Sequence, residues 1–547
     1  MIIDTPTLAD LTGRSAEIVV IGAGPLGLCT GLALADRGRS VLVLESGRTG
    51  TDSRLQDLAA DHVLTPDTHH DPRITVARRL GGTSNLWGGR CLPSDPIDFQ
   101  ARPWLGLDAW PVTETALAPY LASACAALGA GEAVFRAPVP GLEPADDSFS
   151  IDTLERWSNQ PRTHLLHKDR IAQTAGFTVA LGVTVTGFHY DAEGRIVALD
   201  LWFANADPAA AKAVLPVSTV ILAAGGNASA RLLLNEQAKS PELFGGPDGV
   251  LGRHYMSHVN GQIADIVFEN DPLHAAMDFY VDAHGSYVRR RFAPSAAVQE
   301  ANRLSNVTFW PVVPEVSQPA HRSGPLSAVF MALTTPGIGK RVIAEPIRLK
   351  HIGPPPHSWW PHLRNVVMDP LRTIGFVPWF LWNRRYAKNR IPGFFLHNAA
   401  RRYGLEFHSE HLTLGTDTDA SGLRRLEIDF RFSDADVASV LRAHDAFETW
   451  LTSEGYGHLV YRVPLEGRAE GVLAEAKHGN HQEGTLRMGD SPTSGVVDAN
   501  CTAFGVPNLH VVSTGVLPSS SQANPTLTAL QLGLRLVDHL APASPAT

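Results

Sequence analysis

Between residues 18 and 45 the chain has few ways to fold. Ile18–Ile21 is a continuous apolar run of strand length. The glycines of GAGPLG follow, then LCTGLALADRG, which reads as a helix of small apolar residues, then the apolar run Val41–Leu44 closed by Glu45. Two buried-strand patterns around one helix pattern predict a parallel βαβ unit. Gly22 permits the tight turn, Gly24 lets the backbone approach a pyrophosphate, and Gly27 lets the helix sit close to the strand. Pro25 and Leu26 lie between them at the helix start, whose free amides face the phosphates. Glu45 follows the motif by about 20 residues, where a carboxylate accepts from ribose hydroxyls. The expected ligand of this unit is a dinucleotide.

The unit alone does not separate one dinucleotide from another. Residues 78–90, RRLGGTSNLWGGR, are glycine-dense and carry Trp87. Such a run has too much backbone freedom for a strand and too few charges for a solvated loop. It reads as backbone made to lie against a large flat ligand. Val217–Leu234, VSTVILAAGGNASARLLL, repeats the order of strand, small turn and helix, so the chain is expected to return to its first sheet.

Length and charge bound the rest. A chain of 547 residues suits two intertwined domains, and its 44% hydrophobic and 18% charged residues are ordinary for a globular protein. The net charge of -9 argues against a nucleic-acid partner. Cys29, Cys91, Cys125 and Cys501 are scattered, with no CxxC pair, which suggests neither a disulfide framework nor a zinc site and fits a reducing compartment. The N-terminus has acidic residues and no apolar core of a signal peptide, and no run reaches the roughly 20 apolar residues of a membrane helix. The expected location is cytoplasmic.

The middle of the chain is less legible. Residues 106–180 are mixed. From 259 to 475 the texture changes: HLTLGT and LRRLEIDFRFS bracket a polar turn, Asp417–Gly422, and read as an antiparallel hairpin. DADVASVLRAHDAFETWL reads as a helix capped by Ser433 or Asp434. His408, Glu410 and His411 do not suit a metal, because 411 faces away from the other two on a strand. His69 and His70 read as solvated. Residues 340–402 mix aromatics with many arginines and lysines against only Glu345 and Asp369. Two readings stand for this stretch. One is an interfacial anchor making peripheral membrane contact through 359–395. The other is an insertion packed on its own core or on an oligomer partner.

Four segments together resemble the glucose–methanol–choline (GMC) oxidoreductases. They are VVIGAGPLGL with Glu45; RRLGGTSNLWGG; VILAAGGNASARLLL followed by LGRHYMSH; and the C-terminal block from NHQEGTLRMG to LRLVDHL, with GVVD, GVPNLHV and NPTLT in order. The resemblance covers both ends of the chain and thins in the middle, and its motifs look closest to the pyranose-oxidising branch. It implies an α/β, overall α+β, fold: a Rossmann-like FAD-binding domain and a discontinuous substrate domain built on an antiparallel sheet. The expected division is 1–105, 180–258 and 478–547 for FAD, 106–179 as a connecting cap region, and 259–477 for substrate. FAD contacts are implied for Gly22, Gly24, Pro25, Leu26, Gly27, Glu45, Arg79, Gly81, Gly82, Thr83, Asn85, Leu86, Trp87, Val185, Ala224, Gly225, Gly515, Asn524, Pro525 and Thr526. Some members link FAD to a histidine just after the GG-x-S motif. Leu86 holds that position here, so a noncovalent FAD is expected.

The resemblance also implies the chemistry. His481, three residues before the Gly-Thr of HxxGT, is the implied base, and Asn524, opening the NPT motif, its partner. The residue types suit the task. A neutral imidazole can take a hydroxyl proton near pH 7 while a hydride leaves the carbon, and an amide can donate to the developing alkoxide. His478 is the alternative register for the base. His258, in GRHYMSH, reads as structural. The expected partners are a small alcohol or sugar and an electron acceptor that is oxygen, a quinone or another carrier. A lyase that keeps FAD without redox turnover and a noncatalytic flavoprotein remain as alternatives.

Overall fold

The computed structural model describes residues 1–13, 16–204, 212–312, 316–342, 345–353, 355–376, 378, 402–410, 415–416, 421–476 and 479–542. The βαβ unit forms as the glycine spacing requires. Strand Ile18–Ile21 pairs in parallel with Val41–Glu45 across helix Pro25–Asp36, which starts on Pro25. A six-stranded parallel sheet grows around it, in the order Ile2–Asp4, Phe177–Leu181, Val41–Glu45, Ile18–Ile21, Thr219–Leu222, Leu509–Val511. Its central strands are buried on both faces, which is why they read as unbroken apolar runs. The two-residue period divides them cleanly. Val19, Ile21, Leu42 and Leu44 join the core on one face, and Ile18, Val20, Val41 and Val43 the core on the other.

The expected return to the first sheet takes place at Thr219–Leu222, followed by helix Gly226–Gln237. Two strands of the sheet carried no readable signal. Ile2–Asp4 is only three residues long, and Phe177–Leu181 straddles the division placed at residue 180. Each is a strand because the sheet edge beside it offers a ladder, not because of its own pattern. The C-terminal helix Thr526–Leu540 packs on helices Pro25–Asp36 and Leu121–Leu128.

A second layer is antiparallel. Thr308–Val312, Arg402–Glu410, His258–Phe268 and Gly457–Tyr461 form one four-stranded sheet. Helix Asp434–Ser453 covers it, burying Val437, Val440, Ala443 and Phe447. Ser433, rather than Asp434, is its N-cap: the Ser433 hydroxyl accepts from Asp436 N–H, and the Asp436 carboxylate accepts from Ser433 N–H at 2.7 Å. Of the expected hairpin, Gly415–Thr416 pairs antiparallel with Leu426–Ile428, and the latter also pairs in parallel with His62–Val63. His411 and most of that turn lie outside the described residues.

The reading of His69 as solvated is wrong. It is 1% exposed, its Nε2 lies 2.8 Å from the Tyr255 hydroxyl, and its ring meets Phe430 edge-on. The polar run around it suggested a surface turn, but the chain folds back and closes over it. Among the described residues no helix is long and apolar enough to cross a membrane. Trp379, Phe380, Trp382 and Arg384 through Arg390 lie outside the described residues.

Candidate active site

The carboxyl ends of the parallel strands meet three loops. The first is the glycine turn after Ile21. A Cβ on Gly27 would sit 2.0 Å from the Gly22 carbonyl oxygen, and one on Gly22 would sit 2.6 Å from the Ala223 carbonyl oxygen. These two glycines are therefore required by close packing. Gly24 differs, since a Cβ there would meet nothing within 4 Å. It borders open space at the N-terminus of helix Pro25–Asp36, where a pyrophosphate would sit. Glu45 is 6% exposed, and its carboxylate accepts from Ala23 N–H at 2.9 Å and from Gly47 N–H at 2.8 Å. It thus fixes the loop and stands at its mouth.

The second loop, Arg79–Trp87, lies against the first. Gly81 N–H donates to the Ala23 carbonyl at 2.9 Å, and a Cβ on Gly82 would be 2.7 Å from Gly24 Cα. Gly81 takes a left-handed φ of 87°. Asn85 donates to the carbonyls of Leu80 and Gly82, and Trp87 Nε1 donates to Pro161 at 2.7 Å. Thr83 Oγ1 faces Ala77 N–H. Asn85, Trp87 and Thr83 therefore shape the loop itself. Arg79 is a different case. Burial and the Arg162 guanidinium push it below its usual range, and burial with both arginines does the same to His164. Arg79 Nε and His164 Nδ1 are buried without a hydrogen-bond partner among the described residues. Clustered like charges with orphaned donors are a cradle for an anion. Arg162 and His164 were not legible as site residues, because their only cue is spatial nearness to Arg79. Open space at Gly24, a cationic cluster and a glycine-dense loop fit the diphosphate of FAD. Gly225, with φ of 88°, likewise borders open space beside Ala224. Val185 is buried in the core and pairs with Leu201.

The third loop carries His481. It is docked on the start of helix Gly226–Gln237: a Cβ on Gly226 would be 2.2 Å from the Gln482 carbonyl oxygen, and Thr485 Oγ1 donates to Gly226 O at 3.0 Å. Gly515 packs on the same threonine. The pairing of Met256 with Glu483 ties this loop to the strand that starts at His258. That pairing explains how His258, His481 and Glu483 come together. His481 Nε2 is 3.1 Å from Asn524 Nδ2, and His481 Nδ1 is 2.9 Å from His258 Nδ1. His258 Nε2 in turn faces Glu483 Oε1 at 3.9 Å, both side chains being 0% exposed. With the Asn524 amide donating, His481 Nε2 is an acceptor, and Nδ1–H points to His258. This is the neutral tautomer that a base needs.

The structure brings His481 and Asn524, both singled out in the sequence, within 3.1 Å of each other, and it adds His258 and Glu483 beside them. His258, read as structural, touches the ring of His481. The signal was present, since Glu483 lies two residues after His481, but nothing in sequence aligns residue 258 with 481. The three groups could be taken for metal ligands, their atoms lying within 4.8 Å of one another. They are arranged in series, however. His258 offers one nitrogen to His481 at 2.9 Å, and its other nitrogen faces the Glu483 carboxylate at 3.9 Å, an electrostatic contact beyond hydrogen-bond reach. His478 lies outside the described residues.

Asn524, Pro525 and Thr526 lead into the C-terminal helix, which starts at Thr526. The preceding loop is pinned by side chains distant in sequence. Arg102 and Trp110 both donate to Ser519 Oγ at 2.9 Å, Gln522 donates to Asp95 at 2.6 Å, and Arg291 donates to Gln522. The Asn524 carbonyl oxygen is buried without a partner among the described residues.

Residues 17–311 match a family described as FAD dependent oxidoreductase, and residues 411–533 match one described as GMC oxidoreductase. The chain is 31% identical over 128 residues to the C-glycoside 3-oxidase of Microbacterium trichothecenolyticum, covering 23% of each chain. It is 30% identical over 122 residues to the paromamine 6'-oxidase of Streptomyces fradiae, covering 22% of this chain and 21% of that one. Each match thus spans under a quarter of the relative's length. Among solved structures, a fungal aryl-alcohol oxidase superposes with a TM-score of 0.52 at 14% identity, and pyridoxine 4-oxidase from Mesorbium loti with 0.51 at 16%. Both cover 96% of this chain and 99% of their own. At such identities what is shared is the fold.

Proposed function

Because the chain belongs to the FAD-dependent oxidoreductases of the GMC type, we propose that it oxidises a CH–OH group of an alcohol or sugar, with His481 as base. The observation that carries this reading is the pair formed by His481 Nε2 and Asn524 Nδ2, 3.1 Å apart, in a loop docked on the dinucleotide fold. A substrate hydroxyl that comes alongside the pair and takes the place of their mutual contact meets an acceptor on His481 and an amide donor on Asn524. His481 takes the hydroxyl proton, and Asn524 holds the oxygen as it gains charge. FAD, when bound, supplies the hydride acceptor. A sugar or glycoside hydroxyl is the first choice of substrate, in keeping with the names of the two relatives. An anaerobic screen of sugars and alcohols tests this by flavin absorbance. Bleaching by a sugar supports it, whereas a substrate that is cleaved while the flavin stays oxidised turns the reading to a lyase. Re-oxidation of the bleached flavin by oxygen or by a quinone then identifies the acceptor class.

His258 and Glu483 act through His481. The Glu483 carboxylate faces the far nitrogen of His258, so the positive charge that His481 gains is spread along a buried chain. Glu483→Leu removes that nearby carboxylate, an electrostatic effect of about 1.4 kcal/mol or more, or roughly tenfold or more in rate. The loss falls on kcat with KM nearly unchanged, and Glu483→Gln recovers part of it. Equal losses in kcat and flavin content for both variants would reduce Glu483 to a packing role.

Leu86, at the position where some relatives carry the flavin link, has no nucleophile. Acid precipitation of the purified yellow protein is therefore expected to leave FAD in the supernatant. Flavin retained in the washed pellet would contradict this.

A further inference from the structure

Helix Trp360–Met368 and the helical residues 370–376 are inside out. Their uncharged polar side chains face the protein. His362 is 1% exposed, stacks on Phe330 at 4.1 Å and contacts Ser327 Oγ at 3.1 Å. Asn365 donates to the same hydroxyl at 3.1 Å and to the Pro319 carbonyl at 2.8 Å. Asp369 accepts from Gly324 N–H, and Thr373 donates to the Asp369 carbonyl. The outward face is apolar: Trp360 is 77% exposed, Val367 66%, Met368 75%, Leu371 84% and Ile374 69%. Residues 360, 363 and 367 repeat at three- and four-residue steps and share one face of the first helix, and 371 and 374 share a face of the helical residues that follow the break at Asp369. Hydrogen bonds fix the polar side inward, and rotating the helix to hide the stripe would break them. An exposed apolar stripe of this kind marks a contact surface.

We infer that this stripe is a docking surface for an anionic lipid membrane. The charges beside it select the occupant. Arg364 and Arg372 are exposed beside these apolar side chains; Asp369 accepts from Gly324 N–H and is the one acidic group near them in sequence, 3.9 Å from Arg372 Nε. The sequence beyond it has no acidic residue until Glu406 and carries Arg384, Arg385, Lys388, Arg390, Arg401 and Arg402. This basic run stands in a chain whose net charge is -9. A second copy docking through the same face about a twofold axis would set Arg364 and Arg372 close to their own equivalents, which opposes that pairing. An anionic surface attracts them instead, and tryptophan beside an apolar helix face is the composition of an interfacial anchor. The helix lies on such a surface; it is too short to cross.

The test is flotation of the FAD-loaded protein with vesicles of phosphatidylcholine mixed with phosphatidylserine, and with vesicles of phosphatidylcholine alone. Binding is expected to be several-fold stronger to the mixed vesicles and to fall as salt rises, because exposed charges are screened beyond about 8 Å at physiological ionic strength. The triple variant Trp360→Ser, Leu371→Ser, Ile374→Ser should lose at least about tenfold of that binding while keeping flavin content and turnover, since these side chains support nothing inside. Arg364→Glu with Arg372→Glu should weaken binding to the mixed vesicles alone. Failure of the wild-type protein to float at low salt, or equal flotation of the triple variant, overturns the inference. So does a wild-type dimer in light scattering that the triple variant converts to monomer without any flotation, which would make the stripe a subunit contact.

Discussion

His481→Ala is expected to slow anaerobic flavin reduction by roughly two to four orders of magnitude, the range for loss of a positioned general base. FAD content should stay near that of the wild type, because His481 holds its neighbours through its ring alone. Its Nε2 meets Asn524 and its Nδ1 meets His258, while the loop is anchored separately by Thr485 on Gly226 and by Glu483 on Met256. The half-reaction is therefore the sensitive measurement, and stopped-flow absorbance under substrate reads it directly. His481→Asn should not restore the rate, since an amide has no basic nitrogen. A variant that reduces its flavin within tenfold of the wild-type rate would remove His481 from the role of base. His478→Ala is the matched control and is expected to leave the rate near normal.

The second large effect is expected at Gly27. A methyl group there would lie 2.0 Å from the Gly22 carbonyl oxygen and 3.2 Å from the Ala223 side chain. Neither neighbour is the end of a flexible chain; both are turn backbone and buried strand end. Gly27→Ala must push helix Pro25–Asp36 away from strand Ile18–Ile21. Overpacking of this kind costs roughly 1–3 kcal/mol, or about ten- to hundredfold if it falls mainly on flavin affinity. The purified variant should emerge largely colourless from gel filtration, with a lower melting temperature that added FAD partly restores. Gly24→Ala is the contrast. Its Cβ meets no protein atom within 4 Å, so the fold should tolerate it while FAD affinity falls through intrusion on the open space. Full flavin content and an unchanged melting temperature in Gly27→Ala would show that the turn opens without cost.

Local pattern carried much of this protein. Ile18–Glu45 reads as a parallel unit because both strands are buried on two faces and because glycine is demanded at three spacings. Thr219–Leu222 and helix Gly226–Gln237 repeat that logic closely enough to be found. Helix Asp434–Ser453 follows from its local pattern, which left the cap open between Ser433 and Asp434 until the hydrogen bonds of Ser433 with Asp436 decided it. Family motifs placed His481 with Asn524, although 43 residues separate them.

Tertiary structure decided the remainder, and in each case the deciding contact spans a long stretch of chain. Ile2–Asp4 is a strand only because Phe177–Leu181 lies beside it. His69 is buried only because Tyr255 and Phe430 fold over a turn whose composition is that of a surface. Arg162 and His164 join Arg79 through space, so no spacing marks them. His258 meets His481 across 223 residues, through a two-residue backbone pairing that no periodicity announces. The helix at 360–368 illustrates the same limit from the other side. Its sequence shows an amphipathic pattern, but only the partners of His362 and Asn365 reveal that the polar face is the inner one. Periodicity reports that a helix has two faces; hydrogen-bond partners elsewhere in the chain determine which of them meets water.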